Sequence, residues 1–170
     1  MYSINILKKK DINFFQENVG YIIKGPLGSS LPIPYNKEIH VLVNDSSIIL
    51  KSSKASIFLL YKKLFLQKIR GVLYGYKIKL KLKGVGYVAE QTNNSLVLKL
   101  GFSLARVIPI KNSIKIKIKK RKLLKIIGCD LNEITQFAAN IRQNRIPEVY
   151  KGKGILYFKE KIFLKVGKKN

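Results

Sequence analysis

Cysteine, histidine and acidic side chains are all scarce in this chain of 170 residues, and each shortage removes a class of chemistry. One cysteine, Cys129, permits no internal disulfide, so the chain suits a reducing compartment or one indifferent to disulfides. One histidine, His40, leaves that cysteine without a partner for a Cys/His zinc site. Nine Asp and Glu residues provide no paired carboxylates for acid–base work. Long apolar runs are missing as well. The densest, residues 57–61, ends at Lys62 and Lys63, far short of the ~18 residues a membrane span needs. Nothing here points to an enzyme, a cofactor, a metal, a small-molecule substrate or a membrane partner.

Positive charge is what the chain has in excess. Thirty-four Lys and Arg against nine acids give +25 at pH 7, and such charge repels itself in a compact state. A polyanion is expected to complete the structure, with nucleic acid the leading candidate. The 46% hydrophobic content is globular rather than disordered. The charge divides unevenly: residues 1–73 carry 11 basic and 4 acidic groups, residues 74–170 carry 23 and 5. The second half is where the anion is expected.

Composition also speaks to origin. The chain holds 29 Lys, 24 Ile and 12 Asn, all encoded by codons that begin with two A/T bases, and only 5 of its basic residues are Arg. An A/T-rich genome follows. Residues 1–20 have no apolar core or small-residue cleavage site, carry Asp11 and Glu17, and lack arginine, so they read as neither an export signal nor a transit peptide.

Strands followed by a helix are expected twice, each set forming an antiparallel sheet with one helix on a face: an α+β class of two similar small domains. The first set includes residues 21–24, a Gly25-Pro26-Leu27-Gly28 turn, an edge segment at Leu31-Pro32-Ile33-Pro34, and a hairpin of residues 39–43 and 48–51. Its helix is expected from Lys54 to Arg70, with Ser53 as N-cap, Gly71 as stop and an apolar stripe of Ile57, Leu60, Tyr61, Leu64, Phe65 and Ile69. In the second set, residues 77–83 and 114–119 alternate strictly between lysine and an aliphatic residue, which places ammonium groups on one face. Residues 87–91 and 96–100 form a hairpin, and residues 123–127 a further strand. A helix then starts at Asp130, whose spacing to Glu133 is that of a capping box, and carries Ile134, Phe137, Ala138 and Ile141 on one stripe. The expected organisation is an N-terminal extension (1–20), a first domain (21–73), a second, mainly nucleic-acid-binding domain (74–150) and a basic C-terminal extension (151–170).

Each possible site has a plainer reading. Gly84-Val85-Gly86-Tyr87-Val88-Ala89 has dinucleotide spacing, but a strand rather than the required helix follows, which favours a bend. Cys129 reads as a small apolar residue at a helix start and His40 as structural. The basic features carry more. Residues 111–125 hold eight basic side chains, among them Lys115, Lys117, Lys119, Lys120 and Arg121, and with the row Lys77, Lys79, Lys81 and Lys83 they favour phosphate contact. Pro147-Glu148-Val149-Tyr150-Lys151-Gly152-Lys153-Gly154-Ile155 alternates glycine with lysine: Gly152 and Gly154 let backbone approach an anion that Lys151 and Lys153 reach, while Tyr150 stacks on a base or sugar. Arg142 and Arg145 fork onto phosphates, or equally complement a helix C-terminus.

That last segment resembles the signature Pro-Glu-x-Tyr-Lys-Gly-Lys-Gly-aliphatic of the large-subunit ribosomal protein six family, of bacterial type. Lys24-Gly25-Pro26-Leu27-Gly28, Gly71-Val72 with Gly75, residues 84–89, Leu100-Gly101-Phe102-Ser103 and the helix of residues 130–145 resemble that family in order and spacing. The family usually has His-Pro where this chain has Leu104-Ala105, and Arg or Pro, and Pro, at the places of Ile146 and Val149. The resemblance implies a structural constituent of the large ribosomal subunit with two α+β domains on large-subunit rRNA, the second near the sarcin–ricin loop and the translation-factor site. It also implies neighbouring ribosomal proteins as partners, facing the first domain, with translation factors nearby. Combined with the A/T-rich composition, it implies an organelle-encoded protein of the mitochondrial ribosome, or alternatively of a plastid ribosome or a bacterial cytoplasm.

Overall fold

The computed structural model describes residues 2–7, 11–44 and 47–167; residue 1, residues 8–10, the hairpin positions 45–46 and residues 168–170 lie outside the described part. Two compact units emerge. One comprises residues up to Tyr76 together with Cys129–Leu131, and the other Lys77–Gly128 with the residues from Asn132 onward.

The first unit contains β1 (Tyr2–Leu7), β2 (Asn13–Glu17), β3 (Gly20–Gly25), β4 (Gly28–Ser29), β5 (Ile39–Val43), β6 (Ser47–Ser52) and α1 (Ala55–Tyr74). Its strands make two antiparallel sheets, β1-β6-β5 and β2-β3-β4. Residues 1–20, expected as an extension, supply strands to both: β1 lies along β6 with Ile6 opposite Ile48, and β2 along β3 with Phe14 opposite Ile23. Leu31-Pro32-Ile33-Pro34 forms only a bridge, Ile33 exchanging both backbone hydrogen bonds with Tyr21 at 2.9 Å, since proline lacks the donor for a longer ladder.

Helix α1 is longer than expected at its C-terminal end. Gly71 lies inside it, and glycine is needed there because a Cβ would stand 1.9 Å from the carbonyl oxygen of Cys129. The terminator is Gly75, at φ 69°, whose N–H donates to Gly71 O. Lys54, not Ser53, is the N-cap, and it makes no side-chain cap. The buried stripe runs Phe58, Tyr61, Phe65, Lys68 and Val72, against a core that includes Ile23, Ile33, Ile48 and Leu50. Leu60, placed in the core by sequence, is 55% exposed, and Phe58 takes its place. Within the stripe, the Lys68 ammonium pairs with Asp130, whose Oδ2 also accepts the Leu31 N–H at 3.1 Å; both side chains are buried. Removing one partner of such a pair costs ~3–5 kcal/mol, because the other charge is left buried alone.

The second unit contains β7 (Tyr76–Lys83), β8 (Val88–Thr92), β9 (Ser95–Lys99), β10 (Arg106–Pro109), β11 (Ile114–Lys119), β12 (Leu123–Gly128), α2 (Leu131–Gln143) and β13 (Gly154–Tyr157). One antiparallel sheet has the order β11-β12-β7-β13 and the other β10-β9-β8. Helix α2 buries Ile134, Phe137, Ala138 and Ile141, the stripe its spacing predicts. They share the core with Leu80, Leu82, Ile114, Ile116, Leu124, Ile126 and Ile155. The fold is thus α+β, two antiparallel-sheet units each with a packed helix, followed by basic C-terminal residues. Part of the stretch expected as an extension is built into the sheet: β13 pairs along β7 with Ile155 opposite Leu82. The backbone then continues from Phe158, whose N–H donates to Lys79 O, without further strand among the described residues.

Candidate nucleic-acid interface

Alternation in β7 and β11 gives the second unit a sheet with two unlike faces. Ile116 lies opposite Ile126 and Ile118 opposite Leu124 on the face toward the core, while Lys117 lies opposite Lys125 on the other. Lys115, Lys117 and Lys119 are all exposed, as are Lys77, Lys79, Lys81 and Lys83 on β7. Like charges directly opposite one another destabilise a sheet. The Lys117–Lys125 pairing therefore carries a cost that a bound polyanion would offset. Lys79, Lys117, Lys119 and Lys125 border a cleft of about 460 Å³ floored by Leu123 and edged by Phe158. Lys79 Nζ stands 5.2 Å from the Phe158 ring centroid. Lys125 belongs to the basic run of residues 111–125 read from the sequence, whereas Phe158 escapes that reading, because only the return of the C-terminal segment brings it to this face.

The hairpin joining β11 to β12 presents Lys120, Arg121 and Lys122 to solvent. Lys120 and Arg121 both adopt φ 53°, a left-handed conformation that side chains other than Asn, Asp and Gly rarely take. The hairpin is held from outside itself: Arg121 O accepts Ala89 N–H at 2.9 Å and Lys122 O accepts Leu82 N–H at 2.8 Å. Arg121 stands 3.8 Å from Glu90, with both side chains well exposed, which is a weak interaction.

Residues 147–155 form a closed loop. Glu148 N–H donates to Lys153 O at 2.8 Å and Gly152 N–H donates to Glu148 O at 2.9 Å. The sequence assigned Gly152 and Gly154 to close backbone approach by an anion; in the structure both are buried, and their need for glycine comes from the fold. Gly152 is at φ 65°. A Cβ on Gly154 would stand 2.6 Å from Pro147 Cα and 2.9 Å from Ile146 O. The side chains of Lys151, Lys153 and Tyr150 are exposed. Arg142 and Arg145 part company. Arg142 Nη2 donates to Glu160 Oε1 at 2.6 Å, while Glu160 Oε2 accepts Tyr157 N–H, so this guanidinium ties α2 to the end of β13. Arg145 lies against the ring of Phe102, 4.7 Å from its centroid. Sequence reading missed Glu160 as a partner, and nothing local signals it.

The remaining motifs lie elsewhere in the fold. Gly84-Val85-Gly86 is a bend between β7 and β8, with Gly86 at φ 73° and no helix after it. Cys129 Sγ donates to Leu27 O at 3.0 Å, and His40 is exposed on β5 opposite Lys51.

Residues 83–158, which include the lysine-faced strand β11, the hairpin and the closed loop, match the profile of the family described as Ribosomal protein L6. Over 98% of its length, the chain is 36% identical to the large ribosomal subunit protein uL6m of Prototheca wickerhamii, covering 94% of that protein. It is 37% identical to the large ribosomal subunit protein uL6 of Mycoplasmoides gallisepticum, over 86% of this chain and 83% of the relative. Identity to the protein uL6c of Phaeodactylum tricornutum is also 37%, over 97% of this chain and 94% of the relative. Full-length similarity of this order, joined to a two-unit α+β fold with a cation-covered sheet, shows that the chain belongs to the ribosomal protein L6 family, the structural, RNA-binding and non-enzymatic L6 proteins of the large ribosomal subunit.

Proposed function

We propose that the second unit is the principal rRNA-binding part of this protein, and that it fixes large-subunit rRNA near the sarcin–ricin loop and so supports the translation-factor-binding region. The observation that carries the RNA assignment is the lysine face of the β11-β12-β7-β13 sheet, where β7 and β11 each expose a row of lysines, Lys117 stands opposite Lys125, and these strands carry no acidic side chain. The position near the sarcin–ricin loop rests on the family resemblance. Paired A-form RNA offers side chains its phosphates, 2′-hydroxyls and shape, so a broad cationic face suits it without reading sequence.

The contacts in this reading are Lys115, Lys117, Lys119, Lys120 and Arg121 on the sheet side, and Arg145, Tyr150, Lys151 and Lys153 on the closed loop. Gly152 and Gly154 give the loop its shape, and Arg142 fastens it from behind through Glu160. The first domain, 21–73, faces protein neighbours. The mitochondrial ribosome is the proposed setting, supported by the Lys-, Ile- and Asn-rich composition and by the likeness to a uL6m protein; a plastid or bacterial ribosome is the alternative, supported by equal likeness to uL6c and bacterial uL6 proteins.

Co-sedimentation with large subunits after a high-salt wash tests the central claim. One copy per subunit is expected; retention on immature particles alone would make the protein an assembly factor. Recovery from ribosomes of purified mitochondria, rather than plastids, tests the setting. Replacing Lys151 and Lys153 with Ala should lower the salt slope of rRNA binding by ~0.7–0.9 for each phosphate no longer bound. An unchanged slope would remove the closed loop from the interface.

A further inference from the structure

The ring of Phe102 carries two guanidinium groups at once. Arg145 Cζ lies 4.7 Å from its centroid and Arg106 Cζ 5.7 Å, both inside the ~6 Å at which an aromatic quadrupole attracts a cation. Three separate stretches of chain make this cluster. Phe102 follows Gly101, which turns the backbone at φ 77° immediately after β9. Arg106 opens β10 and lies opposite Leu98. Arg145 is fixed just beyond α2, its N–H donating to Arg142 O at 3.2 Å and its carbonyl accepting Ile155 N–H at 3.0 Å.

The cluster brings like charges together without neutralising them. Arg121 and Arg142 have carboxylate partners in Glu90 and Glu160, whereas neither Arg106 nor Arg145 has an ion pair among the described residues. Phe102 is 42% exposed, Arg106 is exposed and Arg145 half-buried, so the cluster is open to solvent on the Arg106 side. A guanidinium laid on a ring keeps its in-plane N–H donors free, and that fork matches phosphate oxygens two at a time. Stacking also restricts the long side chains before any ligand arrives, which lowers the entropy lost on binding.

We infer that Arg106 and Arg145, held on Phe102, form a two-guanidinium clamp for neighbouring phosphates of an RNA strand, with Phe102 as the positioning residue. The inference rests on the RNA-binding reading above and adds a site outside the lysine face. It also accounts for Leu100-Gly101-Phe102-Ser103, where Gly101 sets the turn and Phe102 supplies the platform.

The test is binding of the full chain to large-subunit rRNA, with affinity followed between about 50 and 200 mM salt. Arg106→Gln should lower the log–log slope by ~0.7–0.9, the value for one phosphate. Phe102→Leu, which removes no charge, should lower it by as much or more, and Phe102→Tyr should restore the wild-type slope. A purely structural role for Phe102 predicts an altered melting temperature with an unaltered slope. An unchanged slope in Arg106→Gln, or in a folded Phe102→Leu, overturns the clamp while leaving RNA binding in place. Arg106 is exposed, so its variant decides the matter even where Phe102→Leu does not fold. Failure of the wild-type chain to bind the rRNA overturns the RNA-binding reading itself, and the clamp with it.

Discussion

Lys120 and Arg121 sit at φ 53° in a hairpin where Asn-Gly would be at ease. A left-handed conformation costs a side-chain-bearing L-residue ~1–2 kcal/mol, so this turn stores strain to present cations at its tip. Function and stability are then expected to separate when the turn is replaced. Lys120→Asn with Arg121→Gly should raise resistance to chemical denaturation by about 1–3 kcal/mol while lowering the salt slope of rRNA binding. The backbone hydrogen bonds of the hairpin, Arg121 O to Ala89 and Lys122 O to Leu82, survive the change, since they use no side chain. A variant that is more stable and binds RNA with the wild-type slope would show that the two side chains are there for another reason. A variant that is less stable would show that the turn carries no strain.

At the scale of elements, Gly71 sets two rules against each other. In the interior of α1, Ala is worth ~1 kcal/mol more than Gly by helix propensity. A Cβ at this position, however, would stand 1.9 Å from Cys129 O, a backbone atom with no rotamer through which to retreat. Overlap of that kind typically costs ~1–3 kcal/mol or more in a packed site and outweighs the propensity gain. Gly71→Ala should therefore destabilise the protein, read as a lower denaturation midpoint; a higher midpoint would mean that α1 and the residues before α2 lie further apart. The same helix shows where sequence stops informing structure. Residues 57–61 are all apolar, so their order cannot say which of Phe58 and Leu60 faces inward, and the phase is set by Phe65, Lys68 and Val72 further on. α2, with polar residues between Ile134, Phe137, Ala138 and Ile141, was legible throughout. So were β7 and β11, whose strict alternation admits one buried face. β1 and β13 were not, because each becomes a strand only by pairing with a partner distant in sequence. The interface divides in the same way. Exposure of the lysine rows followed from alternation, whereas the capture of Arg142 by Glu160 and the meeting of Arg106 with Arg145 on Phe102 follow from tertiary packing alone.

For the whole molecule, the deciding quantity is a net charge of +25, most of it carried from Tyr74 onward. Away from its polyanion the folded chain concentrates these charges, while unfolding spreads them, so self-repulsion lowers the stability of the free protein. Salt acts on that repulsion through the Debye length, which falls from about 30 Å at 0.01 M to about 8 Å at 0.15 M. The buried pair of Lys68 and Asp130 is shielded from added ions, and the few exposed pairs, such as Arg121 with Glu90, are worth little and lose little. Screening should therefore relieve repulsion more than it weakens attraction. For a chain of this size, each ~1 kcal/mol gained moves Tm by about 2–4 °C, so the free protein should melt several degrees higher at physiological salt than at 0.01 M. The same change in salt weakens RNA binding, since fewer counterions are then released to advantage. Opposite responses to one variable are what a cationic surface shaped for RNA entails: mobile anions at high salt and phosphates at low salt relieve the same repulsion. A Tm that stayed level or fell as salt rose in a scanning-calorimetry series would show that the lysine face is already neutralised within the protein, and would remove the electrostatic reason for it to seek RNA.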